Sequence, residues 1–412
     1  MASNAPPTSL ARLVATCFLP FAAGYFLSYF YRTVNAVIGP VLVTELQLDA
    51  AALGLLTSAY FIAFAAFQLP LGVLLDRYGP RRVESILLLI AAAGAIVFGL
   101  AQDVGQLAIG RALIGFGVSS CLMASFKANT LFWPAERLAV ANGFILAFGG
   151  LGATVATLPV EWVLKVSDWR TLFFCLAGVT VLSAAYIRFA VPERGLGTAG
   201  HLGEQVRSVV AILGSAKFWR VAPITVTAQA SFLAYQGLWA GPWLRDVAGL
   251  SPDAAATVMF FVASAIIVGY GLGGVAADRL MRAGVRDGTL LVWGVALYLL
   301  VQVPLLLNVT TGSSVLWVAF TLLGTNSILG FSYLTRQFAK DQAGRVNSAM
   351  NLLVFVAAFA IQAGVGAVIS WFTPPGAPFA PRGYQVALTL FFVLQVAGWL
   401  WFVVTRRADD DV

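Results

Sequence analysis

Histidine is almost missing from this 412-residue chain, which carries only His201. Histidine-based zinc sites and Ser-His-Asp triads therefore have nothing to work with. The three cysteines, Cys17, Cys121 and Cys175, all fall inside apolar runs. They show neither metal-ligand spacing nor the pattern of a disulfide framework. Charge is scarce too: Asp, Glu, Lys and Arg make up 10% of the residues, against about 25% in soluble domains. The 18 acidic residues fall at or near the ends of apolar runs, Glu161 least clearly. Acidic proton relays in transporters sit at membrane depth, and none is visible there. No enzyme activity, cofactor or metal is expected.

Apolar surface is what the chain has in excess. Hydrophobic residues make up 60%, Phe alone occurs 30 times, and mean hydropathy is +0.87. No water-soluble fold could hide that much, so the chain reads as an all-α membrane protein solvated by lipid. A span needs about 20 apolar residues. Twelve runs qualify: 13–39, 51–75, 83–101, 107–131, 139–163, 170–191, 218–243, 254–276, 289–307, 314–337, 346–370 and 384–405. The first is too long for a signal peptide and has no credible cleavage site, so it reads as a retained helix.

Basic residues set the orientation. The N-terminus and the even-numbered loops carry most of them, including Arg12, Arg77, Arg81, Arg82, Arg137, Arg207, Lys217, Arg279, Arg282 and Arg345. The odd-numbered loops and adjoining helix ends carry Lys165, Arg170, Arg245 and Arg382. Both termini are therefore expected in the cytoplasm, with the chain threaded through the cell membrane. The net charge of +7 belongs to this asymmetry and implies no nucleic acid. The polar stretch 192–216, which holds His201, is expected to be a cytoplasmic linker. It would join a six-helix bundle at 1–191 to a second at 217–412, and the acidic end at 408–412 reads as a solvated tail.

The two halves repeat one motif. The second run ends in Gly72-Val-Leu-Leu-Asp76-Arg77-Tyr-Gly-Pro-Arg81-Arg82, and the eighth in Gly274-Val-Ala-Ala-Asp278-Arg279-Leu-Met-Arg282. Half a chain length separates the copies, the mark of a transporter built from parallel repeats. Gly72 lets a neighbouring helix approach closely. Asp76 can accept hydrogen bonds at a helix N-terminus, where the dipole favours an anion. Arg77, Arg81, Asp278 and Arg279 can pair across the same face, holding it shut until the contacts break. Topology alone also accounts for Arg81 and Arg82.

The first copy resembles, nearly residue by residue, the signature loop of the major facilitator superfamily. Arg111-Ala-Leu-Ile-Gly115-Phe-Gly117 and Trp133-Pro-Ala-Glu136-Arg137 are similar to two further segments of that family. The resemblance covers the whole chain. It implies twelve transmembrane helices in two pseudo-symmetric bundles, with the first, fourth, seventh and tenth lining a central cavity.

Ionisable groups inside a span are functional candidates. Tyr25, Tyr29, Arg32 and Asn35 recur at i, i+4, i+7 and i+10 and share a face of the first helix. Arg32 faces either the cavity or carbonyls and headgroups. This stretch resembles the organophosphate:phosphate antiporter branch, in which the first-helix arginine meets the substrate phosphate beside a second arginine in helix seven. The repeat offset places Ala234 there, so the second arginine is missing. In the fourth run Lys127 either enters the cavity or snorkels to the cytoplasm, while Arg111, on the opposite side, reads as a packing residue bonded to helix one. The glutamate that anion:cation symporters carry seven residues after this arginine is Val118 here. From the second half, Tyr235, Gln236 and Asn326 are the preferred binding candidates. Other amides, among them Gln229, Asn347 and Asn351, divide between binding and interhelical packing.

These residues point to a monomeric transporter that moves a small organic anion by alternating access. Arg32 would be the anchor and Lys127 a second charge. One rival is proton-driven efflux of hydrophobic compounds, whose glycine-proline signature in helix five appears here as Phe148-Gly-Gly-Leu-Gly152, without the proline. The other is a non-transporting sensor of the same fold, for which only the linker and short tails offer a signalling surface.

Overall fold

The computed structural model describes residues 10–134, 137–193, 202–339 and 342–406. Glu136, His201 with most of the linker before it, and the acidic tail lie outside the described residues. Without water in the bilayer core, backbone polar groups must pair within the segment. The apolar runs accordingly become helices, and no strand occurs among the described residues. The spans are α1 (Leu10–Thr33, continued by Asn35–Leu46), α2 (50–78), α3 (80–100), α4 (Val104–Phe132), α5 (138–166), α6 (Trp169–Ala190), α7 (Ala216–Asp246), α8 (Pro252–Arg282), α9 (Asp287–Leu306), α10 (Ser313–Arg336), α11 (Ala343–Phe372) and α12 (Pro381–Thr405). Among the described residues eleven helices are long and apolar enough to cross a membrane, and α7 with the bent helix before it makes up to twelve.

Local chemistry sets the breaks. Between α2 and α3 only Gly79 leaves helical geometry, at φ 77°, a left-handed conformation open to glycine. Pro80 follows, with its fixed φ ready to start α3. Asp103 and Asp168 cap α4 and α6 by accepting from the amides of Gln106 and Thr171. Several of the acidic residues placed at helix ends by the sequence are thus caps.

Glycine controls how closely the helices pack. A Cβ at Gly115 in α4 would strike the backbone of Tyr60 in α2, and one at Gly152 in α5 would strike the backbone of Phe26 in α1. Small residues allow this approach where lipid offers no hydrophobic drive for association. The halves meet along α2 with α11 and along α5 with α8.

Three features depart from the sequence expectation. The linker contains a helix, Leu202–Leu213, bent by 84° from α7. It buries Val209 and Ile212 and receives a 2.8 Å bond from Arg345 Nη1 to Ser208 Oγ. α7 carries a π-turn at Tyr235–Trp239, and α10 passes through a 3-10 turn at Thr325–Ile328. Either irregularity rotates every later side chain off the 3.6-residue register, which decides what faces the cavity.

These packings make a direct prediction. Gly152→Leu overpacks the α1–α5 contact and should cost at least about 1–3 kcal/mol, whereas Gly178→Ala, with open space around it, should match the parent. Thermal melting and monodispersity in detergent would separate the two.

Candidate functional site

A cavity of about 390 Å³ lies between the halves. α1 contributes Tyr25, Ser28, Tyr29 and Arg32; α2 contributes Phe64 and Gln68; α4 contributes Ser119, Met123 and Phe126. The second half supplies Gln229 from α7, Tyr270 from α8, Phe331 and Ser332 from α10, and Asn347, Asn351 and Phe355 from α11. Each of these lies in the middle of its helix or toward the end nearer the chain termini, so the cavity opens toward the face that bears the termini.

The opposite face is closed by bonds between the halves. Gln362 Nε2 donates to Thr57 Oγ1 at 3.0 Å, and the Ala51 amide donates to Ser370 Oγ at 2.8 Å. Lys165 pairs with Asp253. Gly241 and Gly54 let α7 and α11 close on the first half, since a Cβ at either would press on Ala36 or on Gln362 and Gly366.

Arg32 stands at the inner end of the cavity, 7% exposed. Its guanidinium carbon lies 4.6 Å from the Tyr29 ring centroid, 5.4 Å from Phe355, 5.6 Å from Phe64 and 5.9 Å from Tyr60. Ring quadrupoles attract a cation at such distances and offset part of its desolvation. They do not neutralise the charge, which an anion could still meet. Among the described residues no carboxylate pairs with it, and its Nε is buried without a hydrogen-bond partner. Tyr25 and Tyr29 stack edge to face at 5.1 Å. Tyr270 reaches both Tyr29 and Gln229, and Gln229 accepts from Ser327.

Arg111 has the role expected of it. It is 1% exposed, donates to the Tyr31 carbonyl at 2.8 Å and lies 4.9 Å from the Tyr60 ring. Asn35 belongs with it: with its amide oxygen turned toward the guanidinium, Asn35 accepts from Arg111 Nη2 at 2.6 Å. Asn35 therefore anchors α1 to α4 and does not line the cavity.

Of the eight binding candidates, Arg32, Tyr25 and Tyr29 are brought together. Lys127 takes the snorkelling placement, with Nζ 2.7 Å from Asp76 Oδ1. Within the π-turn, Tyr235 turns into an aromatic cluster with Phe320 and Tyr298, and Gln236 is buried off the cavity. Asn326, in the 3-10 turn, packs against Gly294 and Gly273. In their place stand Gln68, Ser119, Tyr270, Ser332, Asn347 and Asn351. Single polar residues in apolar runs were the signal for Gln68 and Tyr270, on helices not expected to line the cavity.

The motif residues are paired within their own halves. Among the described residues Asp76 is bonded to Lys127 in α4 and to no helix N-terminus. Arg77 lies 5.3 Å from the Tyr78 ring, Arg81 Nε donates to the Arg188 carbonyl at 2.8 Å, and Arg82 pairs with Glu193 at the end of α6. Asp278 pairs with Arg282 at 2.9 Å, one turn on. Arg279 is exposed near the end of α8, and Gly72 is half-buried in α2.

One expectation is corrected. Not every acidic residue reaches a polar boundary: Glu84, four residues past the start of α3, is 0% exposed. It lies against Gly24 of α1, where a Cβ would collide with its Oε1. Proximity to a helix end suggested an interfacial side chain, but the tight α1–α3 packing permitted by Gly24 seals it inside.

Because Lys127 meets Asp76 rather than the cavity, Lys127→Met should leave ligand affinity within about threefold. The half-exposed pair itself should contribute about 0.2–1 kcal/mol in a double-mutant cycle with Asp76→Asn. A tenfold loss of affinity in Lys127→Met would place the ammonium in the binding site.

Comparison with known proteins agrees with this architecture. The model of the Major Facilitator Superfamily matches residues 21–363. A probable sulfoacetate transporter of Cupriavidus necator is 26% identical over 349 residues, covering 79% of this chain and 80% of that protein. The hexuronate transporter of Escherichia coli is 25% identical over 161 residues, 39% of this chain and 37% of its own. Among solved structures, a bacterial homolog of the human lysosomal transporter Spinster, inward-facing and occupied, superimposes with a TM-score of 0.76 at 18% identity, covering 96% of this chain and 97% of that one. With a family match over most of its length and eleven or twelve apolar helices among the described residues, the chain is a multi-pass membrane transporter of the Major Facilitator Superfamily.

Proposed function

We propose that the chain carries a small organic anion, a carboxylate or sulfonate, across the cell membrane by alternating access, working as a monomer. The observation that carries this reading is Arg32, a permanent charge caged by four aromatic rings and paired with no acid among the described residues. An unpaired buried charge is costly, and an anionic ligand would relieve that cost. The single arginine suits one anionic group, while Gln68, Asn347 and Asn351 offer neutral donors for the rest of the molecule. Relatives whose names give sulfoacetate and hexuronate as cargo support this class.

With both termini in the cytoplasm, as the basic loops indicate, the conformation described is open inward. Gly72, Asp76, Arg77 and Arg81, with Asp278 and Arg279 in the second copy, would then form the gate on that face. Their present partners lie within each half, and closing the face would exchange those partners for contacts across it. Units 1–191 and 217–412 would be the two rocking bodies, joined by 192–216.

Counterflow into proteoliposomes with sulfoacetate, glucuronate, citrate, glycerol phosphate and a lipophilic cation tests the reading. Arg32→Gln should weaken anion binding roughly ten- to hundredfold, the equivalent of a charge-assisted bond of about 1.5–3 kcal/mol. Arg32→Lys should fall between, keeping the charge but losing the fork. Binding by Arg32→Gln as tight as the parent's, or transport of the cation alone, overturns the anion reading. Asp76→Asn should leave expression intact and slow exchange, as measured by initial rates.

A further inference from the structure

Among the described residues Arg32 is the only charged side chain on the cavity wall. An anionic group accounts for that charge and leaves the rest of the wall unexplained. In α4 the wall is Ser119, Leu122, Met123 and Phe126, which recur at i, i+3, i+4 and i+7 and share one helix face. α5 adds Leu146, and α10 adds Ile328 and Phe331 from the second half. Met123, Phe126, Leu146 and Phe331 are only half-buried, so part of each apolar side chain is left for the cavity. The rings near Arg32 pack on one another, Phe64 stacking on Phe355 at 4.2 Å. Among the described residues no ring packs in this way on Phe126 or Phe331.

Most polar groups of the wall are already engaged by the protein. Gln68 accepts from Asn351 Nδ2 at 3.2 Å and donates to the Ser119 carbonyl at 3.4 Å. Ser119 Oγ donates to the Phe116 carbonyl at 2.7 Å, and Asn347 accepts from Thr335 Oγ1 at 2.8 Å. The hydroxyls of Tyr25, Tyr29 and Tyr270 are linked to one another and to Gln229. Besides the hydroxyls of Ser28 and Ser332, what remains is the amide hydrogens of Asn347 and one of Asn351. A sugar acid needs more, because each of its hydroxyls is both donor and acceptor. Every hydroxyl that gives up water without a replacement partner opposes binding. An apolar body gives up no such bonds, and it removes water from the faces of Phe126 and Phe331.

Charge and apolar wall are also separated in depth. Arg32 stands at the inner end, whereas Phe126 lies seven residues beyond Ser119 in α4, about 10 Å nearer the open mouth. We propose that the cargo is an amphipathic anion, with one carboxylate or sulfonate meeting Arg32 and a compact apolar body, the size of an aryl ring, seated on Phe126 and Phe331. Those two phenylalanines set the choice between apolar and hydroxylated anions. The inference rests on the anion reading above and narrows it away from sugar acids. The cavity of about 390 Å³ is near the small end of ligand sites, which run roughly 300–1,000 Å³. An aryl body can meet both phenylalanines edge to face, the geometry aromatic rings prefer.

Titration calorimetry of the full chain in detergent supplies the test. Phenylacetate and glucuronate each carry one carboxylate and one six-membered ring, hydroxylated only in glucuronate, while acetate is the carboxylate with no ring. Phenylacetate should bind at least roughly tenfold more tightly than glucuronate or acetate, with a negative heat-capacity change that acetate lacks. Phe126→Ala and Phe331→Ala should each weaken phenylacetate roughly five- to thirtyfold and move acetate by less than about twofold. If an alanine variant fails to fold, Phe126→Leu or Phe331→Leu replaces it, with a loss of about threefold confined to phenylacetate. Glucuronate or sulfoacetate binding as tightly as phenylacetate, or equal losses of phenylacetate and acetate in the variants, overturns the proposal and leaves the anion reading standing. Phenylacetate bound as tightly by Arg32→Gln as by the parent overturns both.

Discussion

A guanidinium fixed inside a lipid-solvated bundle is the constraint around which this molecule is arranged. Arg32 cannot shed its charge, and bare burial of a cation is expensive. The surrounding rings of Tyr29, Tyr60, Phe64 and Phe355 offset part of that cost. Two of the three helices that supply them, α2 and α11, form one of the contacts along which the halves meet. The rings that tolerate the cation therefore belong to the contact whose rearrangement opens and closes the cavity.

Two arginines near the same depth have opposite fates, and geometry explains both. Arg111 is saturated by the Tyr31 carbonyl, the Asn35 amide and the Tyr60 ring, and so joins α4 to α1. Arg32 also lies near Tyr60, amid the rings of Tyr29, Phe64 and Phe355 and with no carboxylate partner among the described residues. Tyr60 touches both, which makes the packing of the first arginine part of the support of the second.

The motif at the end of α2 contributes differently from the cavity. Asp76 and its basic neighbours are bound within the first half by surface-exposed pairs. Such pairs are worth little individually, which suits contacts that must be exchanged repeatedly. The far face relies instead on buried amide and hydroxyl bonds and on glycine-mediated backbone approach, a tighter closure that fits the conformation observed.

How much of this the sequence itself determined follows from what lipid demands. Apolar runs of about 20 residues can be satisfied only as helices or closed barrels, so the spans were legible within a few residues at most ends, as were the half-length repeat and the saturation of Arg111 by α1. Tyr25, Tyr29 and Arg32 were legible because they fall within one regular helical stretch, Leu19–Thr33. Tyr235, Gln236 and Asn326 were not. Tyr235 and Gln236 lie within a π-turn of α7 and Asn326 within a 3-10 turn of α10, and helical periodicity contains no sign of either. Lys127 had two reachable environments, and the approach of Asp76 chose between them. Glu84 looked interfacial because depth along one helix says nothing about what packs beside it. Only the glycine-tight contact of α1 with α3 decided that this acid is shut away from water.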